Sequence, residues 1–245
     1  MPKSRRALKT RSGRKKEKIQ APRAVGIKRS SELRMFLERE IYEGRLLPGD
    51  ALNEQAVAER FQISRTPVRE AFLQLGSLGL ISFLPRRGAV VARLSTRQIV
   101  GMREVFTELE ALCAQLSARR MSVEERDHLS KIYEESRDGI AEADVAAYSY
   151  HNLRFHEALY AGAKNCYLAK QISDLRTRLR PYTGKHFFKA GGIERSLEGH
   201  RRIVEAVLAG DDSLAAKAMR EHILLGAQSF QDLIAELTSA DTEDA

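Results

Sequence analysis

Ile63-Ser64-Arg65-Thr66-Pro67-Val68-Arg69-Glu70-Ala71-Phe72-Leu73-Gln74-Leu75 reads as a helix with a polar cap and a basic leading edge. The Ser64 hydroxyl suits an orphan amide of the first turn. Pro67 sits early enough that its missing N–H removes no intrahelical bond. Val68, Ala71, Phe72, Leu75 and Leu78 recur at helical spacing and form one apolar face. Arg65 and Arg69 lie one turn apart on another face, with Thr66 beside them. A helix that buries one side and leads with arginines suits the major groove of DNA.

Upstream, Ser30 or Ser31 is placed to cap a helix that buries Leu33, Phe36, Leu37 and Ile41. Gly44 ends it and Pro48-Gly49 turns the chain. Asn53 caps a second helix, from Glu54 to about Phe61, burying Val57 and Phe61. Downstream, Gly79 closes the arginine-bearing helix, and Leu80–Leu84 and Ala89–Arg93 read as short β segments. Pro85-Arg86-Arg87-Gly88 between them is a hairpin tip with two arginines. Residues 29–93 therefore predict a winged helix-turn-helix. A helical subdomain with a decorative hairpin would leave both arginine clusters unexplained.

The spacing of this module, from Gly44 through Pro48-Gly49, Leu52-Asn53-Glu54, Ala58, Phe61, Ser64 to Ala71, Leu75 and Gly79-Leu80 to Arg87-Gly88-Ala89-Val90, resembles the DNA-binding domain of the GntR family of bacterial transcription regulators. The resemblance implies that Arg65, Thr66 and Arg69 contact DNA and that the Arg87-Gly88 tip approaches the minor groove. Gln55 departs from the pattern: it stands where a family member has a DNA-contacting Arg. Its amide retains the capacity to bond a base or phosphate.

Of the net charge of +8, residues 1–28 carry +10, residues 29–93 carry +2 and residues 94–245 carry −4. The first 28 residues lack apolar periodicity, predicting a disordered basic tail that adds phosphate contacts or only solubility. No apolar run reaches the 18 or so residues that span a bilayer, and the basic N-terminus has no apolar core of a secretory signal behind it. Cys113 and Cys166 form no CxxC pair, which fits reduced thiols and a cytoplasmic chain. No membrane partner is expected.

Beyond Arg93 the pattern becomes helical throughout. Ser95 or Thr96 caps a helix over about 97–119 that buries Ile99, Val105, Phe106, Leu109, Leu112 and Leu116. Further helices follow at roughly 122–141, 144–162, 165–182, 193–209 and 211–237, with Ser122/Glu125, Gly162, Asn165, Pro181 and Gly210-Asp211 as caps and breaks. Short links make residues 94–240 an antiparallel six-helix bundle, and the fold class mainly α. Asn152 and His156 project from one helix face at i, i+4. With His200 and His222 they offer three imidazoles and an amide oxygen to a divalent metal such as Zn, Ni or Mn. Surface or satisfied core histidines remain the alternative. His128 and His186 read as surface groups.

Phe155-His156-Glu157-Ala158-Leu159, Asn165, Leu168, Glu198-Gly199-His200, Ile203, Ala206, Gly210-Asp211, Ala215 and Met219-Arg220-Glu221-His222 resemble the FCD effector-binding domain of the FadR subfamily. Six helices rather than seven resemble its VanR-type branch. In many members an Asp and three His hold a metal beside a small organic or sugar acid. By position the implied ligands are Asn152, His156, His200 and His222. Asn152 departs from the Asp, offering a neutral oxygen. Phe106, four residues before Glu110, stands where many members have an effector-facing Arg; Arg103, one turn earlier, is the candidate substitute.

These readings converge on a homodimeric DNA-binding transcription regulator, a repressor by family habit. It would bind a near-palindromic operator in double-stranded DNA under control of a small-molecule effector, in the bacterial cytoplasm at the nucleoid. The rival is a metalloenzyme with His156, His200 and His222 as a three-histidine site. No HExxH base, phosphate loop or nucleophile elbow accompanies it. A nonspecific architectural protein rests on the tail alone.

Overall fold

The computed structural model describes residues 30–138, 145–183 and 191–225. The basic tail over 1–28, His186 and the last expected helix beyond 225 fall outside the described residues.

Local capping chemistry sets the N-terminal module. The first helix, α1 (Ser30–Tyr42), buries Leu33, Leu37 and Ile41, with Phe36 only partly covered. It already includes Ser30 and Ser31, so neither is the flanking cap that the sequence suggested. Helix α2 (Glu54–Phe61) is capped by Asn53, whose side chain accepts from the Ala56 amide at 3.0 Å. It buries Ala58 and Phe61, while Val57 stays partly exposed. Helix α3 (Arg65–Ser77) buries Val68, Ala71, Phe72 and Leu75. Ser64 occupies its N-cap, but the hydroxyl makes no capping bond, contrary to expectation.

The wing is a three-stranded antiparallel sheet in the order β1 (Ala51–Leu52), β3 (Gly88–Val91), β2 (Ile81–Leu84). Leu84 pairs with Gly88 across the tip, where Arg86 (φ 65) and Gly88 (φ 74) take the left-handed conformation. Strand β1 escaped the sequence reading because two residues carry no periodicity. Its place is fixed by the distant pairs Ala51 with Val90 and Leu52 with Ala89.

Six helices follow among the described residues: α4 (Thr96–Arg120), α5 (Val123–Asp138), α6 (Val145–Gly162), α7 (Cys166–Thr183), α8 (Gly192–Ala209) and α9 (Asp212–Leu225). They form the antiparallel bundle that the short links dictate. Ser95 and Gln98 cap α4 reciprocally. Ser122 and Glu125 do the same for α5, Asn165 caps α7 and Asp211 caps α9. Pro181 does not break α7; it lies inside its last turn.

Helix α4 packs against α6, α7, α8 and α9. Its inner face corrects the sequence reading: Val105 and Leu112 are 53% and 40% exposed, and Phe106 and Leu109 only partly buried. Ile99 and Leu116 are buried as expected, and between and beside them the buried stripe is Thr107, Glu110, Ala111, Cys113, Ala114, Ser117 and Ala118. Small side chains let four helices approach closely, and one carboxylate sits among them.

The C-terminal half of α7 joins the two cores. Arg180 lies over the Tyr42 ring of α1 at 4.2 Å, and Arg178 lies against Gly79 (φ +73), where a Cβ would stand 2.9 Å from Nε. The Tyr182 hydroxyl accepts from the Leu94 amide at 3.0 Å and donates to the Ala92 carbonyl at 3.3 Å.

The two caps separate cleanly by mutation. Asn53→Ala should cost about 1 kcal/mol of urea-unfolding stability in the N-terminal module, whereas Ser64→Ala should cost no more than a few tenths. Equal losses would contradict the cap geometry described.

Candidate functional site

Three imidazoles meet inside the bundle. His156 on α6, His200 on α8 and His222 on α9 each offer a ligand atom, and these atoms lie within 4.8 Å of one another. His156 and His200 are buried. Phe155 stacks on His200 with ring centroids 3.9 Å apart. Gly199 makes room for His222, because a Cβ there would overlap the imidazole. Neither ring nitrogen of His200 has a hydrogen-bond partner, nor has the buried Oδ1 of Asn152, one turn before His156. An unsatisfied buried polar atom costs about 1–3 kcal/mol, so this cluster is poorly explained as structural packing. Its lone pairs fit a divalent cation.

Beside it stands a group that motif reading used only as a landmark. Glu110 is fully buried on α4. It faces His156 Nδ1 at 3.2 Å, accepts from the Tyr160 hydroxyl at 2.5 Å and accepts from Arg176 Nη2 at 2.9 Å. Burial alone would raise its pKa. The charges of His156 and Arg176, with hydrogen bonds from His156 and Tyr160, outweigh burial and hold the carboxyl down at about 2. Burial drives His200 well below the ordinary imidazole value, with His222, His156 and Arg176 adding to the effect. His156 is lowered by burial and by Arg176, and Glu110 offsets only part of this. The anion beside Nδ1 favours a proton there, leaving Nε2 with a lone pair.

The other pocket expectations take definite places. Arg103 Nη2 donates to the Ile223 carbonyl at 2.6 Å, clasping α4 to α9 next to His222. Phe106 lies beneath Arg176, whose guanidinium is 5.9 Å from its centroid and 5.3 Å from that of Tyr160. The cation bonded within this network thus comes from α7. Exposed His128 matches the surface reading.

On the N-terminal module, Arg65, Thr66 and Arg69 are exposed at the start of α3, and Gln55 is exposed on α2. Arg86, Arg87 and Gly88 are exposed at the wing tip. The arginines of α3 are held from α2: Arg65 Nη2 donates to Gln55 Oε1 at 2.7 Å. Arg69 donates from Nε and Nη2 to the two Glu54 oxygens, at 3.3 and 3.1 Å.

Residues 30–91 match the family of bacterial regulatory proteins described as gntR, and residues 102–225 match the FCD domain. The chain belongs to the GntR family. It is 30% identical over 204 residues to the HTH-type transcriptional regulator LutR of Bacillus subtilis, covering 75% of this chain and 92% of that one. It is 27% identical over 211 residues to the gluconate operon transcriptional repressor of Bacillus licheniformis, covering 84% and 85%. The Escherichia coli McbR/YncC structure superposes with a TM-score of 0.68 at 22% identity, covering 84% of this chain and 97% of that one. This GntR-family chain is a transcription regulator: a DNA-binding module followed by a ligand-binding effector domain. It is not an enzyme, and the metalloenzyme reading has no support among its relatives. Among the described residues no helix is long and apolar enough to cross a membrane.

Glu110, Tyr160 and Arg176 were missed because Glu110 meets Tyr160 across 50 residues and Arg176 across 66. The usable signal was a lone carboxylate in α4's stripe of Ala, Cys, Ser and Thr.

These shifts fix the acid behaviour of the metal-free chain. Folded His200 and His156 bind protons less readily than the unfolded chain, so stability is lost as pH falls below about 6.5. Glu110 extends the loss from about 4.5 towards 2. Urea unfolding between pH 7.5 and 5 should lose up to about 1.4 kcal/mol per pH unit for each such histidine. His200→Gln should remove one proton from that slope; an unchanged slope would contradict the burial of a neutral His200.

Proposed function

We propose that the chain is a homodimeric repressor that reads a near-palindromic operator and is released by a small anionic effector in a metal-bearing pocket. The observation carrying this reading is the imidazole cluster around the two partnerless nitrogens of buried His200, in a bundle fused to a module that exposes two arginines at one helix start. Arg65 and Arg69 bond guanine or phosphate, Thr66 meets backbone or a thymine methyl, and the Arg87-Gly88 tip follows the minor groove. Gln55 supports or joins that contact. Residues 29–93 act as the DNA-binding unit and 94–240 as the effector and pairing unit, with the basic tail over 1–28 adding phosphate attraction. The protein works in the bacterial cytoplasm, at the nucleoid.

Asn152, His156, His200 and His222 hold the metal. Four neutral donors favour Zn or Ni over a hard ion such as Mn, which prefers carboxylate oxygen. When bound, the ion supplies positive charge that the neutral donors leave uncompensated, suited to an organic or sugar acid. The name of the gluconate operon repressor supports that class. Arg103 and Phe106 line the effector side, and Arg176 takes the place of the guanidinium missing at Phe106. Val105 and Leu112, exposed seven residues apart on α4, support pairing with a second copy.

Control follows from differential affinity: an effector that binds better to one arrangement of the dimer shifts the population towards it. Contacts of Arg178, Arg180 and Tyr182 with the N-terminal module make α7 the natural lever, because Arg176 sits in the pocket network.

Two measurements test the reading. Fluorescence anisotropy on duplex DNA from the region upstream of the gene should show specific binding that Arg65→Ala and Arg69→Ala each weaken by about tenfold or more. Undiminished specific binding in both variants would remove the DNA-reading role. In a thermal-shift assay, Ni or Zn at a thousandfold excess over Kd should stabilise the wild type by about 4 kcal/mol. His200→Ala, folded by circular dichroism, should lose that response; a retained response would place the ion elsewhere.

A further inference from the structure

We infer that Glu54 is a specificity-determining positioning residue: it aims Arg69 at a base and discourages it from settling on a phosphate. The inference rests on the reading that α3 meets DNA.

A guanidinium has two edges that present paired donors. The side edge comprises Nε–H and one Nη2 proton, and the end edge comprises Nη1 and the remaining Nη2 proton. Glu54 occupies the side edge of Arg69 with both carboxylate oxygens. The end edge is left free, and its paired donors can meet guanine O6 and N7 in the major groove. The Arg69 side chain remains 68% exposed and that of Glu54 only 29%, so the acid is the fixed partner and the cation the presented one. Glu54 is itself secured as the first residue of α2, where the helix dipole favours a carboxylate.

Fixing the fork before encounter also removes an entropy cost, since a free Arg side chain gives up rotamer freedom when ordered. The carboxylate has a second effect. A negative charge beside Arg69 repels phosphate, so the contact tolerates a base edge better than the backbone. Arg65 has a weaker version of the arrangement. Its Nη2 bonds the neutral Gln55 amide oxygen, and Gln55 Nε2 is held by Glu59 at 2.9 Å. One helix thus positions both reading arginines of the next.

The rival reading is structural: an exposed ion pair that pins α2 to α3 and adds little to stability. That role would change unfolding stability and leave base preference untouched. The test uses the full-length chain and a random duplex pool. Wild type is used to select a preferred site, and each guanine of that site is then replaced in turn. In wild type, the guanine read by Arg69 should cost about five- to 150-fold when replaced, and Arg69→Ala should erase that cost. Glu54→Gln should reduce the same cost by about threefold or more, while binding to poly(dI-dC) becomes tighter because an interfacial negative charge is gone. In the Arg69→Ala background, Glu54→Gln should have no further effect on base preference. A Glu54→Gln variant with wild-type preference at every guanine overturns the inference, as does an additive loss in the double variant. Failure of the wild type to select any site would instead overturn the DNA-reading role on which the inference stands.

Discussion

Glu110 is a carboxylate with no access to solvent, and the centre of the bundle is arranged to keep it charged. A lone ionised carboxylate at such depth would neutralise itself by taking up a proton. Here His156, Tyr160 and Arg176 contribute one donor each, from α6 and α7. Both helices are thereby tied to α4, and losing Arg176 would leave the buried carboxylate without its opposite charge, a cost of about 3–5 kcal/mol. The network also fixes the face of the His156 ring turned to the other imidazoles. The pocket's chemistry and the helix positions therefore share one set of contacts.

That sharing extends outward along α7. Arg176 belongs to the Glu110 network, while Arg178, Arg180 and Tyr182 on the following turn and a half touch Gly79, Tyr42 and the Ala92–Leu94 segment. A stiff helix with one end in a bonded pocket and the other against a reading module cannot shift at one end alone. Packed interiors move between discrete arrangements rather than deforming smoothly, so a small rearrangement around Arg176 has a direct mechanical route to α1 and the loop after α3.

The sequence revealed features whose causes are local. Asn53 before α2, Gly79 after α3, Gly88 at the wing tip and Asn165 before α7 each solve a problem within a few residues of themselves, and each reads correctly in isolation. The histidines were legible as a set through the resemblance to the FCD domain, because spacing alone leaves surface or satisfied core groups as the alternative. What stayed hidden depends on distant partners. Strand β1 exists only because β3 lies beside it. The inner face of α4 was read correctly at Ile99 and Leu116 but misassigned in between, because periodicity follows Val105 and Leu112, whereas close packing against four neighbours selects Ala, Cys and Ser. Nothing near Glu110 in sequence shows that Arg176 will reach it.

Two arginine–glutamate pairs in this chain show how surroundings change the meaning of one interaction. Arg176 and Glu110 meet with the carboxylate fully buried and the guanidinium mostly so, which weakens screening, and holding position is what the pair does. Arg69 and Glu54 meet at the surface, where water screens the attraction and the same fork contributes little to folding. Little folding value is what leaves the second pair open to another use. A guanidinium held loosely by one edge is already oriented and still has its other edge to offer. The buried pair gives the effector domain a fixed wall, and the exposed pair gives the reading helix an aimed but unspent donor.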